Sequence, residues 1–152
     1  MLTDIEKIIR DYLPEVVHMS LATSADNKPW ICEVHYAYDN ELNLYFVSEQ
    51  STRHSQEIEK NPSVAGNIVK QFANGEKVRG VYFEGVAEKL ENVDANNPAF
   101  ISYHERYGLP TDALEDFKKE GESRIYKIAV NMFYVFDKQE SDGTKYELKW
   151  SK

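Results

Sequence analysis

Apolar residues recur at Ile5, Ile8, Ile9 and Tyr12, the i, i+3, i+4, i+7 spacing that lays one stripe along a helix. Thr3 with Glu6 three residues later has the form of a capping box, and Pro14 closes the segment. From Val16 the period falls to two: Val17, Met19 and Leu21 alternate with His18, Ser20 and Ala22, and Ala25-Asp26-Asn27-Lys28 supplies turn residues. Trp30 to Tyr38 and Leu42 to Ser48 are rich in aromatic and β-branched residues around Asp39-Asn40-Glu41, which predicts an antiparallel hairpin.

Ser51 or Thr52 then caps a polar helix that runs to Lys60 and stops at Asn61-Pro62. Ser63 to Lys70 and Val78 to Leu90 form a second strand pair around Asn74-Gly75, with Gly85 marking a bulge or close backbone approach. Asp94 to Glu120 is a helical insertion that breaks at Gly108-Leu109-Pro110 and restarts under a Thr111 cap. Ile125 to Phe136 is a long strand, Asp142-Gly143 a turn and Thr144 to Trp150 a last strand. Six or seven strands joined mostly by hairpins predict an antiparallel barrel or strongly curved sheet, mainly β with short flanking helices.

In the long strand both faces are apolar. Ile125, Ala129, Phe133 and Val135 alternate with Tyr126, Ile128, Val130, Met132, Tyr134 and Phe136. A strand buried on both sides needs cover from helices or from a second subunit, so a homodimer is expected. Trp150 lies within two residues of the last one, where chains fray unless docked, so loss of Trp150 to Lys152 is expected to leave the fold intact.

The 152 residues fit one domain, 1-152. Lys and Arg total 18 against 26 Asp and Glu, a net charge of −8, which gives a phosphate backbone or anionic membrane no general attraction; no nucleic-acid or membrane partner is expected. No apolar run approaches the ~20 residues of a membrane span, and acids occupy the first segment where a signal peptide needs positive charge; a cytoplasmic location is expected. Cys32 is the single cysteine, so an intrachain disulfide is excluded.

Chemistry concentrates in Ser48-Glu49-Gln50-Ser51-Thr52-Arg53-His54, where a strand ends and a helix begins. Unpaired N–H groups of a first helical turn, hydroxyls at Ser51 and Thr52, the permanent charge of Arg53 and the titratable His54 together suit a phosphate. The same residues also suit an ordinary helix cap. Cys32 and His35 differ by an odd number along a strand and so face opposite ways, which excludes a thiolate–imidazole pair. His18, His35, His54 and His104 lack metal-ligand spacing, and His18 with Ser20 lacks a paired acid for a nucleophilic triad. Tyr103, His104, Arg106 and Tyr107 crowd one helical stretch, to cover a site or to pack on the barrel. Glu115, Asp116, Glu120 and Glu122 with Lys118 and Lys119 read as a solvated face.

The strand Leu44-Tyr45-Phe46-Val47-Ser48, the segment Ser51-Thr52-Arg53-His54, the helix end Glu59-Lys60-Asn61-Pro62 and the strand Val78 to Gly85 resemble the pyridoxamine 5′-phosphate oxidase-like, FMN-binding split-barrel superfamily. The combination of Thr-Arg-His, Val-Ala-Gly and Arg-Gly-Val-x-Phe is most similar to a branch of small bacterial proteins within it. The resemblance implies a six- to seven-stranded split β-barrel, an FMN cofactor at a homodimer interface and an oxidoreductase acting on a small molecule. It places the phosphate at Thr52, Arg53 and His54, where histidine replaces the usual lysine, with Ser48 near the phosphate or ribityl chain. It lays the flavin ring along Trp30-Ile31-Cys32-Glu33-Val34, with Ile31 in place of the oxidases' arginine. Gly80 replaces a ring-contacting glutamine, which leaves Arg79 as the nearest polar candidate, and the resemblance implies that Trp150 reaches a flavin across the dimer, a position that core or edge packing explains equally well. These departures bear on pyridoxamine phosphate as substrate more than on a flavin. A non-catalytic module that binds or stores flavin, haem or another tetrapyrrole on the same fold is the alternative.

Overall fold

The computed structural model describes residues 2–118, 121–139 and 142–150. Lys119 and Glu120 of the acidic face fall outside them. Helix α1, Leu2–Tyr12, begins one residue before Thr3, so Thr3 lies inside the helix instead of capping it. A 3-10 turn, Leu13–Glu15, leads into β1, His18–Ala25, and β2, Lys28–His35. These two strands pair along their whole length. Asp26 and Asn27 turn between them with φ of 52° and 61°, as a two-residue hairpin demands.

The expected hairpin between residues 30–38 and 42–48 is corrected. Only the two-residue β3, Ala37–Tyr38, pairs with β4, Leu44–Glu49. Asp39 organises that turn by accepting from the Glu41 and Asn43 backbone N–H groups, both at 3.0 Å, and from the Tyr45 hydroxyl at 2.8 Å. Because β2 is committed to β1, the sheet stays open between β2 and β4. That opening is the split, and the extra short strand brings the described strands to eight.

Helix α2 is Arg53–Lys60, followed by β5, Ser63–Val69, and β6, Arg79–Lys89. Helix α3, Pro98–Tyr107, starts later than the expected Asp94 because Asn97 caps it, accepting from the Ala99 N–H at 2.9 Å; it ends at Gly108 in the left-handed region. The next turn, Thr111–Phe117, is 3-10 and follows Pro110 without a side-chain cap, so the Thr111 cap is also corrected. Strands β7, Ser123–Asp137, and β8, Lys145–Lys149, complete the sheet.

The order β2-β1-β5-β6-β7-β4-β3 is antiparallel throughout, with β8 on the free half of β7 beyond β4. Leu21 of β1 and Leu44 and Phe46 of β4 share one core although three strands separate β1 from β4 within that order, so the sheet curls into a half-barrel. Helix α1 closes one end of it with Ile5, Ile9 and Tyr12. A second core lies outside the barrel, where Phe100, Tyr103 and Phe117 cover Ala37, Tyr45 and Ile125.

Strand β7 meets both cores, and its alternation is not the regular one read from the sequence. Glu84 pairs Met132 while Gly85 pairs Val130, leaving Asn131 as the extra residue of a bulge. Tyr126, Ile128 and Val130 point into the barrel before it, and Phe133 and Val135 after it. The bulge thus shifts the parity, and Met132, Tyr134 and Phe136 turn to the outer face. Gly85 sits opposite, where an added Cβ would lie 2.5 Å from the Ala129 carbonyl oxygen, so the expected close approach is observed.

Trp150, expected to fray unless docked, is docked. The Trp150 N–H donates to the Asn131 carbonyl at 2.9 Å, its indole Nε1 to the Glu41 carbonyl at 2.8 Å, and its ring packs edge-on against Phe133.

Candidate functional site

Strand β4 delivers Ser48 to the lip of the split, and the chain turns through Gln50 to enter α2. Of the two expected caps, Thr52 is the one used: its backbone is extended and its hydroxyl accepts from the Ser55 N–H at 3.3 Å while lying 3.0 Å from the Glu49 carbonyl. Ser51 is exposed beside it. The His54 ring reaches back to Ser48, with Nε2 2.7 Å from the hydroxyl oxygen, and leans on Phe46. Burial holds the His54 pKa below the ordinary imidazole value, with Glu57 opposing more weakly, so this corner carries a mainly neutral ring at pH 7.

Arg53 is the cation of the site, and it already has two partners. Its Nε donates to Glu57 Oε2 at 2.8 Å, and its guanidinium lies 4.2 Å from the centre of the Trp30 ring. Glu57 in turn accepts from the buried Thr23 hydroxyl at 2.9 Å, and the Arg53 charge holds its carboxyl below the usual range. A guanidinium has five N–H donors, of which the Glu57 bond uses the one on Nε. Arg53 is 48% exposed, so the guanidinium donors not used by Glu57 are open to an anion at the helix start while the bond to the largely buried Glu57 is kept.

Between the lips of the split lies a cleft of about 570 Å³, within the ~300–1,000 Å³ of small-ligand sites. His18, Glu33, Val34 and His35 line one side, Val47, Ser48 and His54 the other. Tyr103 closes the back, its hydroxyl accepting from the Val47 N–H at 3.1 Å and donating to the His35 carbonyl at 3.2 Å. One hydroxyl thus bridges the two strands at the place where the sheet does not.

The β2 residues divide between two faces. Ile31 is 60% exposed, and Glu33 and His35 share its side, whereas Cys32 points inward with Sγ 3.8 Å from the Leu21 carbonyl. Burial, helped by Glu33, pushes the Cys32 thiol pKa up, so it remains an unreactive thiol. Glu33 stands opposite Ser20, accepts from its hydroxyl and lies 3.3 Å from His18 Nδ1. The sequence reading places Glu33 along the flavin ring but does not pair it with Ser20 and His18, a pairing that comes from cross-strand register. Glu33 sits between serine and histidine where a triad needs the histidine in the middle, so no nucleophile is activated.

Arg79, Gly80 and Trp150 lie elsewhere in the chain's own fold. Ser48 pairs Arg124 and Arg79 pairs Asp137, so 137 − 124 = 13 positions of β7 separate them, about 43 Å at the usual rise of ~3.3 Å. The Arg79 guanidinium is bound to the buried Asp137 at 3.0 Å, and Gly80 packs against Val69. Within one chain these residues do not join Ser48 and Thr52. The Arg53–Glu57 pair was legible as an i, i+4 spacing; the Trp30 contact and the His18 and His35 walls were not.

The sequence profile described as pyridoxamine 5′-phosphate oxidase matches residues 5–136. The chain belongs to that family. A UPF0306 protein of Photorhabdus laumondii is 30% identical over 86 residues, 56% of this chain and 60% of the relative, so the chain spans less than two thirds of that protein. ChuZ of Campylobacter jejuni superposes with a TM-score of 0.76 at 13% identity, over 97% of this chain and 60% of that one. The haem storage protein HutZ of Vibrio cholerae superposes at 0.67 and 18% identity, over 82% and 89%. These likenesses show the split-barrel fold. No described helix is long and apolar enough to cross a membrane.

Proposed function

We propose that the cleft binds FMN and that the protein is a homodimeric flavoprotein oxidoreductase acting on a small molecule. The observation that carries this is the convergence beside one cleft of the α2 N-terminus, the Ser48 and Thr52 hydroxyls and the half-exposed Arg53. That donor set fits a phosphate: the first-turn N–H groups and hydroxyls supply directed bonds, and Arg53 supplies the charge that neutral His54 lacks. Bound FMN supplies hydride and electron transfer at its ring. The chain's part is to anchor the phosphate at Ser48, Ser51, Thr52 and Arg53, to flank the ring with Val34, Val47 and Tyr103, and to keep Glu33 with His18 at the rim.

A second copy is the partner. Ile31, Ala22, Ala65 and Glu84 stand in one cross-strand row, beside Val86 and Ala129, giving an outer face without tall side chains at its centre. Ile31 is 60% and Val86 45% exposed there. Only a second copy can bring an Arg79 near the cleft, given its distance along β7 from Ser48.

One observation favours a second reading, haem or tetrapyrrole binding without catalysis: His18, His35 and His54 all line the cleft, and its one nearby permanent cation is already ion-paired. The absorption spectrum of the untreated purified protein separates the two. The visible bands of oxidised flavin are expected from FMN; a single intense Soret band would replace the flavin reading with the haem one.

A further inference from the structure

Beyond Tyr103 the cleft runs into a bay of about 440 Å³ that shares His35, Val47 and Tyr103 with it. The rest of its wall is Val17, Tyr107, Leu109 and Phe117. The tyrosine hydroxyls are turned away into the backbone. Tyr103 is held by His35 and Val47, and Tyr107 lies 2.5 Å from the Tyr36 carbonyl and 3.0 Å from that of Val17. What faces the bay is therefore ring and aliphatic surface. Among the described residues no Lys or Arg side chain lines it; Arg106 sits behind Tyr107 with its guanidinium on the Val16 carbonyl at 2.5 Å.

We propose that this bay is the substrate subsite of the cleft and takes an uncharged planar aromatic ring, which rests on the flavin reading above. The charge pattern selects the occupant. A phosphorylated or carboxylated substrate entering the bay would lose hydration with no cation to replace it, at a cost of several powers of ten in affinity. A neutral ring meets the faces of Tyr103, Tyr107 and Phe117 and loses nothing polar. The bay opens onto the side of the cleft that Val47 and His35 share, so a ring seated there adjoins whatever the cleft holds. The partner of this chemistry is a small aromatic molecule, and a second copy of the chain covering Val17 and Tyr107 is the competing occupant.

A matched pair of fluorescent probes tests it: N-phenyl-1-naphthylamine, which is neutral, and 8-anilino-1-naphthalenesulfonate, the same skeleton bearing a sulfonate. Both are titrated into the full chain with and without FMN, alongside Val17→Trp, which fills the bay from a position 49% exposed and outside the cleft wall. Leu109→Trp is the second filling variant should the first disturb β1. The neutral probe is expected to bind at least tenfold tighter than the sulfonate, to perturb the visible band of bound FMN, and to weaken at least tenfold in the filled variants while FMN affinity holds. Equal binding of the two probes, or unchanged neutral-probe affinity in both variants with FMN still bound, would overturn the subsite alone. Loss of the dimer in Val17→Trp by sedimentation would hand the bay to a second copy. Failure of the wild type to bind FMN at all would overturn the flavin reading and the subsite together.

Discussion

Two of the arginines that sit over aromatic rings, Arg106 and Arg53, are fixed in different ways. Arg106 lies among Tyr36, Tyr38 and Tyr107, with its guanidinium on the carbonyls of Val16 at 2.5 Å and Leu13 at 3.4 Å. Its partners are neutral ring faces and backbone that cannot move without moving α3 against the 3-10 turn. Arg53 has one ring, Trp30, and one carboxylate, Glu57, on its own helix, and half of it meets solvent. The first is a rivet between elements, whereas the second can be shared with an incoming anion. Cation and aromatic alone therefore do not mark a site; exposure and the mobility of the partner do.

Substitution of Arg106 is the largest way to break this contrast. Charged hydrogen bonds to backbone contribute about 1.5–3 kcal/mol and a desolvated cation–π contact up to about 2, so Arg106→Ala is expected to cost about 3 kcal/mol in denaturant unfolding. Arg106→Lys recovers little, because the ammonium lacks the planar fork. If Arg106→Ala unfolds like the wild type, the rivet is wrong.

The docked terminus supplies a third contact of this kind, Arg10 at 5.9 Å from the Trp150 ring. Deleting Trp150 to Lys152 is expected to remove about 2 kcal/mol, reflecting lost apolar burial against Phe133 and the Glu41 bond, and to be visible as a lowered Tm. A Tm equal to that of the full chain would restore the frayed end.

His54 gives a smaller, pH-dependent effect. Its folded pKa is depressed by burial, so the unfolded chain takes up the proton first as pH falls. Stability contributed by the neutral ring is whole above the unfolded value of about 6.5 and declines below it, levelling off once pH passes the folded pKa. Thermal unfolding at pH 7.5 and 5.5 should show a decline in the wild type that is shallower in His54→Gln. Equal slopes would place the acid sensitivity elsewhere. Smaller still, Glu57→Gln takes the competing carboxylate from Arg53 and should tighten FMN a few-fold, read by fluorescence titration; weakened binding would mean that Glu57 orients Arg53 for the ligand.

Much of the fold was legible because it is local. The Asp26-Asn27 turn, the Thr52 cap, the stop at Asn61-Pro62 and the close approach at Gly85 all depend on a few neighbouring residues. The Thr111 cap and the start of α3 were local misses, and the larger ones were non-local. The bulge at Asn131 leaves no mark in β7 itself and reverses the facing of every residue after it. The commitment of β2 to β1 instead of β4 turns an expected hairpin into a cleft. At the candidate site, Thr52, Arg53 and Ser48 were singled out through strand-to-helix order, while Glu33 beside His18 and Tyr103 at the back required cross-strand register and an insertion packed 56 residues away from Val47.

The most direct test of the cleft is FMN affinity in Arg53→Ala, followed by quenching of flavin fluorescence, with riboflavin as the phosphate-free control and circular dichroism to verify the fold. Loss of one partner of a charged hydrogen-bonded pair costs about 2–5 kcal/mol, so FMN is expected to bind at least tenfold more weakly while riboflavin binds both proteins equally. An FMN dissociation constant unchanged by the substitution would contradict the phosphate cradle and return Ser51 to His54 to an ordinary helix cap.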